Sequence, residues 1–179
     1  MVRIKSFNGN KDKSYFIFSV ILLIIFLIVL GLFLEIPNYY PGYKYVSNVY
    51  LKNLKSDVIP ANTGINVINI TINQYNNTLI AFVKNSSNMN ITIVSSDGRI
   101  ISNQEEYIGV KLNPGFYKVF LVNSNNMSQY TKFDYGIFNY NFISSFYSGI
   151  NLLREVYEII MAITLILAIY SAIKGFFRR

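Results

Sequence analysis

The sequence predicts an all-β antiparallel sandwich of about seven or eight strands flanked by two transmembrane α-helices. Three observations predict it: a long apolar block near each end, basic residues on the outer flank of each block, and a middle where isoleucine alternates with asparagine or threonine.

The first block, "YFIFSVILLIIFLIVLGLFL" (Tyr15 to Leu34), contains no charge and no proline. About 20 apolar residues match the roughly 30 Å hydrocarbon core of a bilayer at 1.5 Å rise per residue. The second, "VYEIIMAITLILAIYSAI" (Val156 to Ile173), carries only Glu158, near its outer end. A cleaved signal peptide has a shorter apolar region followed by a small-x-small site. The first block ends instead in "GLFLEIPNYY", so it reads as an uncleaved anchor. Neither block has the polar face that a helix on a soluble core would show.

Arg3, Lys5, Lys11 and Lys13 precede the first block, opposed by Asp12 alone, and Lys174, Arg178 and Arg179 close the chain. Positive flanks stay cytoplasmic, whereas charges in a long loop count little. The expected order is a cytoplasmic tail over 1–13, a transmembrane helix over 14–36, an exported sandwich over 37–152, a second transmembrane helix over 153–175 and a cytoplasmic tail over 176–179. Such a chain sits in the plasma membrane with both termini inside and its middle outside. Most of the net charge of +7 comes from these flanks, so basicity does not imply a nucleic-acid partner; that requires a basic groove interleaved with aromatics.

Within the middle, Ile68, Ile70 and Ile72 alternate with Asn69, Thr71 and Asn73, and Met89, Ile91 and Ile93 with Asn90 and Thr92. Period-two alternation places the apolar set on a core face and the polar set toward solvent. "TLIAFVK" and "FYKVFLVN" are further β-rich runs, and Asp97-Gly98 between apolar runs signals a hairpin. No helical periodicity is expected in the middle. The aromatic stretches "EIPNYYPGYKYVSNVY" and "YTKFDYGIFNYNFISSFY" read either as a collar at the lipid boundary or as strand and core aromatics of the domain. The alternation of Phe138, Tyr140 and Phe142 with Asn139 and Asn141 suits a strand.

Asparagine outnumbers lysine about two to one, and five N-x-S/T sequons occur, at Asn69, Asn76, Asn85, Asn90 and Asn126. Asn69 and Asn90 fall on the polar faces of strands and the other three in turns, where a bulky sugar fits. An exported face made polar by uncharged groups stays hydrated when carboxylates titrate. The composition is similar in style to envelope proteins of heat- and acid-loving archaea.

The run "MNITIVSSDGRIISNQEEYIGVKLNPGFYKVFLVNSNN" resembles the GOLD-type β-sandwich of the p24 membrane proteins, with its strand, D-G hairpin and strand followed by a G-x-Y strand ending in Asn. The terminal "AIKGFFRR" is similar to the tails of that family, where a di-aromatic precedes basic residues. The resemblance implies a sandwich that binds cargo or partners. The chain lacks the two cysteines of that family and has no coiled-coil stalk before its second block, so the resemblance bears on fold class rather than on a pathway.

With no histidine and no cysteine, a Ser-His-Asp triad, a thiol nucleophile and His- or Cys-ligated metal are impossible. The carboxylates of the middle are Asp57, Asp97, Glu105, Glu106 and Asp134. Glu105 and Glu106 would point to opposite faces of a strand. No D-x-D-x-D calcium run and no Gly-rich phosphate loop is present, so no catalytic residue, cofactor or metal site is expected. In the spans, Ala168, Ala172 and Gly175 form a small-residue stripe, and Ser19 and Gly31 are the small residues of the first block. Small residues let helices approach closely in lipid.

The sequence therefore points to a non-catalytic membrane protein whose exported, N-glycosylated sandwich binds other membrane or envelope proteins as an assembly subunit. The alternatives are a viral membrane protein and a carboxylate-dependent envelope enzyme or transport accessory.

Overall fold

The computed structural model describes residues 9–177, with side chains from residue 13 onward. Arg3, Lys5, Arg178 and Arg179, and the side chains of Lys11 and Asp12, lie outside the described residues. The chain divides into two compact units, one of Pro41–Tyr147 and one of Met1–Tyr40 with Ser148–Arg179.

The Pro41–Tyr147 unit opens with a helix, α3 (Tyr43–Lys52), and continues through β1 (Lys55–Ile59), β2 (Thr63–Ile72), β3 (Thr78–Lys84), β4 (Met89–Ser95), β5 (Ile100–Glu105), β6 (Tyr107–Lys111), β7 (Gly115–Asn123) and β8 (Gln129–Phe138). The strands form two four-stranded sheets, ordered β1-β8-β3-β6 and β2-β7-β4-β5, and every pairing is antiparallel. The alternating residues do what their period demands. Ile68, Ile70 and Ile72 of β2, Met89, Ile91 and Ile93 of β4, and Val119 and Leu121 of β7 meet Leu79, Ala81, Ile108 and Phe133 of the other sheet in one buried core.

Two chain reversals show how backbone chemistry sets the topology. Asp97-Gly98 turns β4 into β5, with Gly98 at φ +84° and Ser95 and Arg99 paired across the turn. Glu106 breaks the run between β5 and β6: at φ +60° it donates its N–H to Met89 O (2.9 Å) and accepts from Val83 N (2.8 Å). One residue thus bonds to a strand of each sheet and carries the chain from one to the other. Glu105 and Glu106 are not successive residues of one strand, contrary to the sequence expectation.

One end of the sandwich is closed by amides. Asn123 is fully buried, and its Nδ2 donates to the carbonyls of Ile59 (3.0 Å), Pro60 (3.1 Å) and Met127 (2.9 Å). Its Oδ1 accepts from the backbone N (3.0 Å) and Nδ2 (3.1 Å) of Asn125. Asn125 in turn donates to Ser87 O at 2.8 Å and accepts from Asn62 N at 3.1 Å through its carbonyl. Three loops, β1–β2, β3–β4 and β7–β8, are joined this way without a charge. Asn62, Asn85 and Asn88 also stand at positive φ, a conformation asparagine tolerates better than other residues with side chains.

Two stretches differ from the sequence expectation. "YKYVSNVYLK" forms helix α3, and its buried Val46 and Tyr50 share one face. Its β-branched and aromatic composition imitates a strand, and packing on β8 decides the outcome. Likewise β8 ends at Phe138 and a helix, α4 (Tyr140–Phe177), begins. Asn139 caps it, accepting from Phe142 N at 3.2 Å and donating to Tyr75 O at 2.9 Å. The buried aromatics of the two aromatic stretches, Tyr50, Phe133, Phe138 and Phe146, pack within the sandwich unit.

The other unit holds α1 (Gly9–Leu34), a one-turn helix α2 (Ile36–Tyr39) and α4 from Ser148 onward. The two long helices run antiparallel: Lys174 Nζ lies 4.9 Å from the Tyr15 ring, Ser19 Oγ donates to Ala168 O at 2.8 Å, and the hydroxyls of Tyr39 and Tyr157 are 2.9 Å apart. Both are long and apolar enough to cross a membrane, and only 6% and 17% of their most apolar stretches are buried.

Asn123→Ala should lower sandwich stability by about 2–4 kcal/mol, because it orphans several buried backbone groups at roughly 1–3 kcal/mol each. Asn73→Ala, at an exposed position, should cost less, since its Oδ1 meets only solvent-accessible N–H groups of Tyr75 and Asn76. Thermal unfolding of both variants checks the order; equal losses would contradict it.

Candidate functional site

The outer face of the β1-β8-β3-β6 sheet is covered by α3, against which the first turns of α4 pack, and it holds the one buried carboxylate of the five in the middle. Phe82 of β3 lies opposite Asp134 of β8 on one side and Tyr107 of β6 on the other. Asp134 is only 3% exposed, and its Oδ2 is bound by Lys84. Its Oδ1 has no hydrogen-bond partner. Lys84 also lies over the Phe82 ring, 4.9 Å from the centroid, and Tyr50 of α3 meets that ring edge-on at 5.0 Å. The Tyr50 hydroxyl hydrogen-bonds to that of Tyr147 at 2.8 Å. Gly136 makes room for this layer, because a Cβ there would collide with the Phe138 ring and stand 3.2 Å from Tyr50.

Chemically this is a closed arrangement. The carboxylate is neutralised by a lysine, the tyrosines bond to each other, and no nucleophile stands beside a base. Burial, followed by the hydrogen bond to Tyr147, pushes the Tyr50 hydroxyl well above its ordinary value of 10.0. Elsewhere, Asp57, Asp97, Glu105 and Glu106 are exposed. Ser95 and then Arg99 hold the Asp97 carboxyl below its ordinary value of 3.8 through hydrogen bonds within the turn. Among the described residues no group of three His, Cys, Asp or Glu side chains gathers as a metal-binding set.

The outer face of the β2-β7-β4-β5 sheet is different: α3, the helix of the sandwich unit, packs on β8 of the other sheet. Phe116 of β7 is 68% exposed. It borders a depression of about 380 Å³ lined also by Asn69, Ile70, Thr71, Ser96, Tyr117 and Lys118. Phe120 and Val122 of β7, Val94 of β4 and exposed Ile100 of β5 alternate onto the same face by their register. The lining contains one charge, Lys118.

Of the sequon asparagines, Asn69, Asn76, Asn85 and Asn126 are exposed and Asn90 is half-buried. Asn69 lines the depression and accepts from Asn66 Nδ2 at 2.9 Å. Asn90 stands on β4 opposite Glu105 of β5, and Thr92 of its sequon donates to Asn103 Oδ1 at 2.9 Å. Asn76 lies in the β2–β3 turn, Asn85 follows β3, and Asn126 accepts from Asn62 Nδ2 at 3.3 Å. In the helical unit Ser19 and Ala168 meet directly, while Gly175 is buried and Ala172 half-buried. Gly31 is exposed, with open space where a side chain would stand. Sequence reasoning missed the Asp134–Lys84 pair and the Asn123 hub. The strand-ending asparagine of the quoted motif was the available signal for Asn123.

No family model matches the chain, and no curated protein is significantly similar to it. Among solved structures, a crystal structure of PirA is similar over 47% of this chain and 94% of its own, at 7% identity and a TM-score of 0.36. A structure described as Bacillus endospore appendages, a family of disulfide-linked pili, is similar over 49% and 88%, at 10% identity and 0.28. A mutant of CooA from Carboxydothermus hydrogenoformans is similar over 79% and 80%, at 12% and 0.26. Likenesses this slight carry neither a fold family nor an activity to this chain.

The raised Tyr50 value fixes the sign of an alkaline transition. The folded state keeps a proton that the unfolded chain releases near pH 10, so this contribution is complete below pH 10 and lost as pH rises above it. The slope approaches about 1.4 kcal/mol per pH unit. Tyr50→Phe should flatten the fall of the melting temperature above pH 10. An unaltered alkaline slope in Tyr50→Phe would contradict the assignment.

Proposed function

We propose that the chain is a non-catalytic, two-span protein of the plasma membrane, with both termini cytoplasmic. Its exported, N-glycosylated sandwich serves as a partner-binding or assembly subunit of a membrane or cell-envelope complex. The observation that carries this reading is Phe116, exposed beside an apolar depression on the outer face of the β2-β7-β4-β5 sheet. A sheet ordinarily buries one face and turns polar residues to water on the other. Here the second face mixes large apolar side chains with amides, the combination that a desolvated anchor with a polar rim requires.

Three further features support the reading. The buried carboxylate of Asp134 is bound by Lys84 and lies beside the Phe82 and Tyr50 rings, an arrangement suited to structure. The exposure of α1 and α4 on nearly all sides suits lipid and not a soluble core. Four of the five sequon asparagines are open to solvent. Because Asn69 lines the depression, a sugar there and a protein partner would compete for one surface.

A photo-crosslinking residue in place of Phe116, in native membranes, should yield an adduct with a second membrane or envelope protein, and high salt should not reduce it. The same residue in place of Tyr75, an exposed position in the β2–β3 turn, should yield far less. No protein adduct at Phe116, or an adduct only with copies of the chain itself, would overturn the reading.

A further inference from the structure

Phe116 and the Asn69 sequon share one face by register. Thr71 of β2 lies directly opposite Phe116 of β7, and Asn69 opposite Lys118. Residues two apart on a strand point to the same side, so Asn69 and Phe116 are diagonal neighbours on the outer face, about 7–8 Å apart. Both Asn69 and Thr71 are exposed. Asn66, three residues before Asn69, would point the other way in a regular strand. The bulge between Asn66 and Ile68 brings both amides onto the outer face, where Asn66 Nδ2 donates to Asn69 Oδ1 at 2.9 Å. Holding the oxygen fixes which way the amide is turned, and Asn69 Nδ2 donates to no group among the described residues. Nδ2 is the atom to which an N-linked sugar attaches.

The second sequon on this face is built differently. Asn90 is half-buried, Thr92 is buried, and the Thr92 hydroxyl is bonded to Asn103. The depression beside Asn69 suits what would hang from it. A pyranose has an apolar C–H face and a rim of hydroxyls. Phe116 offers an aromatic ring whose negative face attracts polarised C–H groups, and Thr71, Ser96 and Lys118 line the depression with partners for hydroxyls. Its volume of about 380 Å³ lies within the roughly 300–1,000 Å³ of ordinary small-ligand sites.

We propose that an N-linked sugar on Asn69 folds over Phe116 and closes the docking face, so that occupancy of this one sequon regulates partner binding. The proposal rests on the reading above, an exported sandwich with Phe116 as its anchor. The sugar comes from a phosphate-linked lipid donor. The Nδ2–C1 bond forms as the C1–O bond to phosphate breaks, Nδ2 loses one proton, and the phosphate leaves with the electron pair. Chains bare at Asn69 present Phe116, and chains carrying sugar there hide it behind a bulky, hydrated cover.

Hydroxyl-radical labelling of the full chain, purified from native membranes in mild detergent, reads the cover in the absence of a partner. Oxidation of Phe116 should be several-fold higher in Asn69→Gln and Thr71→Ala, which destroy the sequon, than in the natural chain or in Thr71→Ser, which keeps it. Asn126→Gln, past the far end of β7 and about 20 Å or more from Phe116, should change nothing. In native membranes the photo-adduct formed from position 116 should rise several-fold with Thr71→Ala but not with Thr71→Ser, and the adduct formed without either change should carry Asn69 bare. Bare Asn69 in every natural chain, or Phe116 labelling unchanged by Thr71→Ala, would overturn the cover. A rise in labelling without a rise in adduct would overturn the regulation. No adduct in any variant would overturn the docking reading and the regulation with it, while the labelling still decides the cover.

Discussion

The constraint on which the rest of the structure depends is the bare apolar surface of α1 and α4. Ile24, Leu27 and Ile28 on one helix, and Ile159, Ile163 and Ile166 on the other, are among the large apolar side chains that are more than half exposed. Each such side chain is worth about 1.5–3 kcal/mol when removed from water. Both helices are long and apolar enough to cross a membrane, and the proposed function puts the pair in hydrocarbon. There the backbone must be satisfied within each helix, and a continuous 26-residue α1 and 38-residue α4 meet the demand. The contacts from Tyr15 to Lys174 and from Tyr39 to Tyr157 make the pair antiparallel. In the proposed topology everything between the two helices must stabilise itself, and the eight strands have a buried core of their own.

The asparagine content has a structural explanation beside the proposed glycan. Asn123 satisfies three carbonyls that would otherwise be orphaned, Asn139 caps α4, and Asn62, Asn85 and Asn88 hold positive φ in loops. A neutral amide both donates and accepts, so it can join loops where a carboxylate or ammonium would meet a wrong partner or need a counter-charge. The hub and the caps do not titrate. At the acid end the turn carboxylate Asp97 is held below 3.8, so its contribution persists above about pH 3.8 and fades only as pH falls through the depressed value. A largely uncharged closure of this kind suits a domain that faces changing surroundings.

Much of this fold was legible in the sequence, because the deciding interactions were local or periodic. The alternation of Ile68, Ile70 and Ile72 with polar residues fixes their face, Asp97-Gly98 needs only its own turn, and the apolar blocks declare themselves by length. What escaped was decided by partners distant in sequence. "YKYVSNVYLK" becomes a helix because Val46 and Tyr50 find cover on β8, about 85 residues later, and Tyr147 completes the bond to Tyr50. Phe138 and Phe142 look alike in sequence, yet Asn139 between them starts a helix. Nothing near Asp134 in sequence announces Lys84, 50 residues away. For the candidate site, alternation along β7 places Phe116 on the outward face, but its openness is a property of the whole sheet.

The proposed function puts lipid around α1 and α4 and the sandwich outside. Since the chain contains no cysteine, single substitutions report sidedness directly. A membrane-impermeant maleimide applied to intact cells should label Ser128→Cys, in the exposed β7–β8 loop. It should leave Lys13→Cys and Phe177→Cys unlabelled until the membrane is opened. Labelling of Lys13→Cys or Phe177→Cys from outside, or protection of Ser128→Cys, would contradict the account.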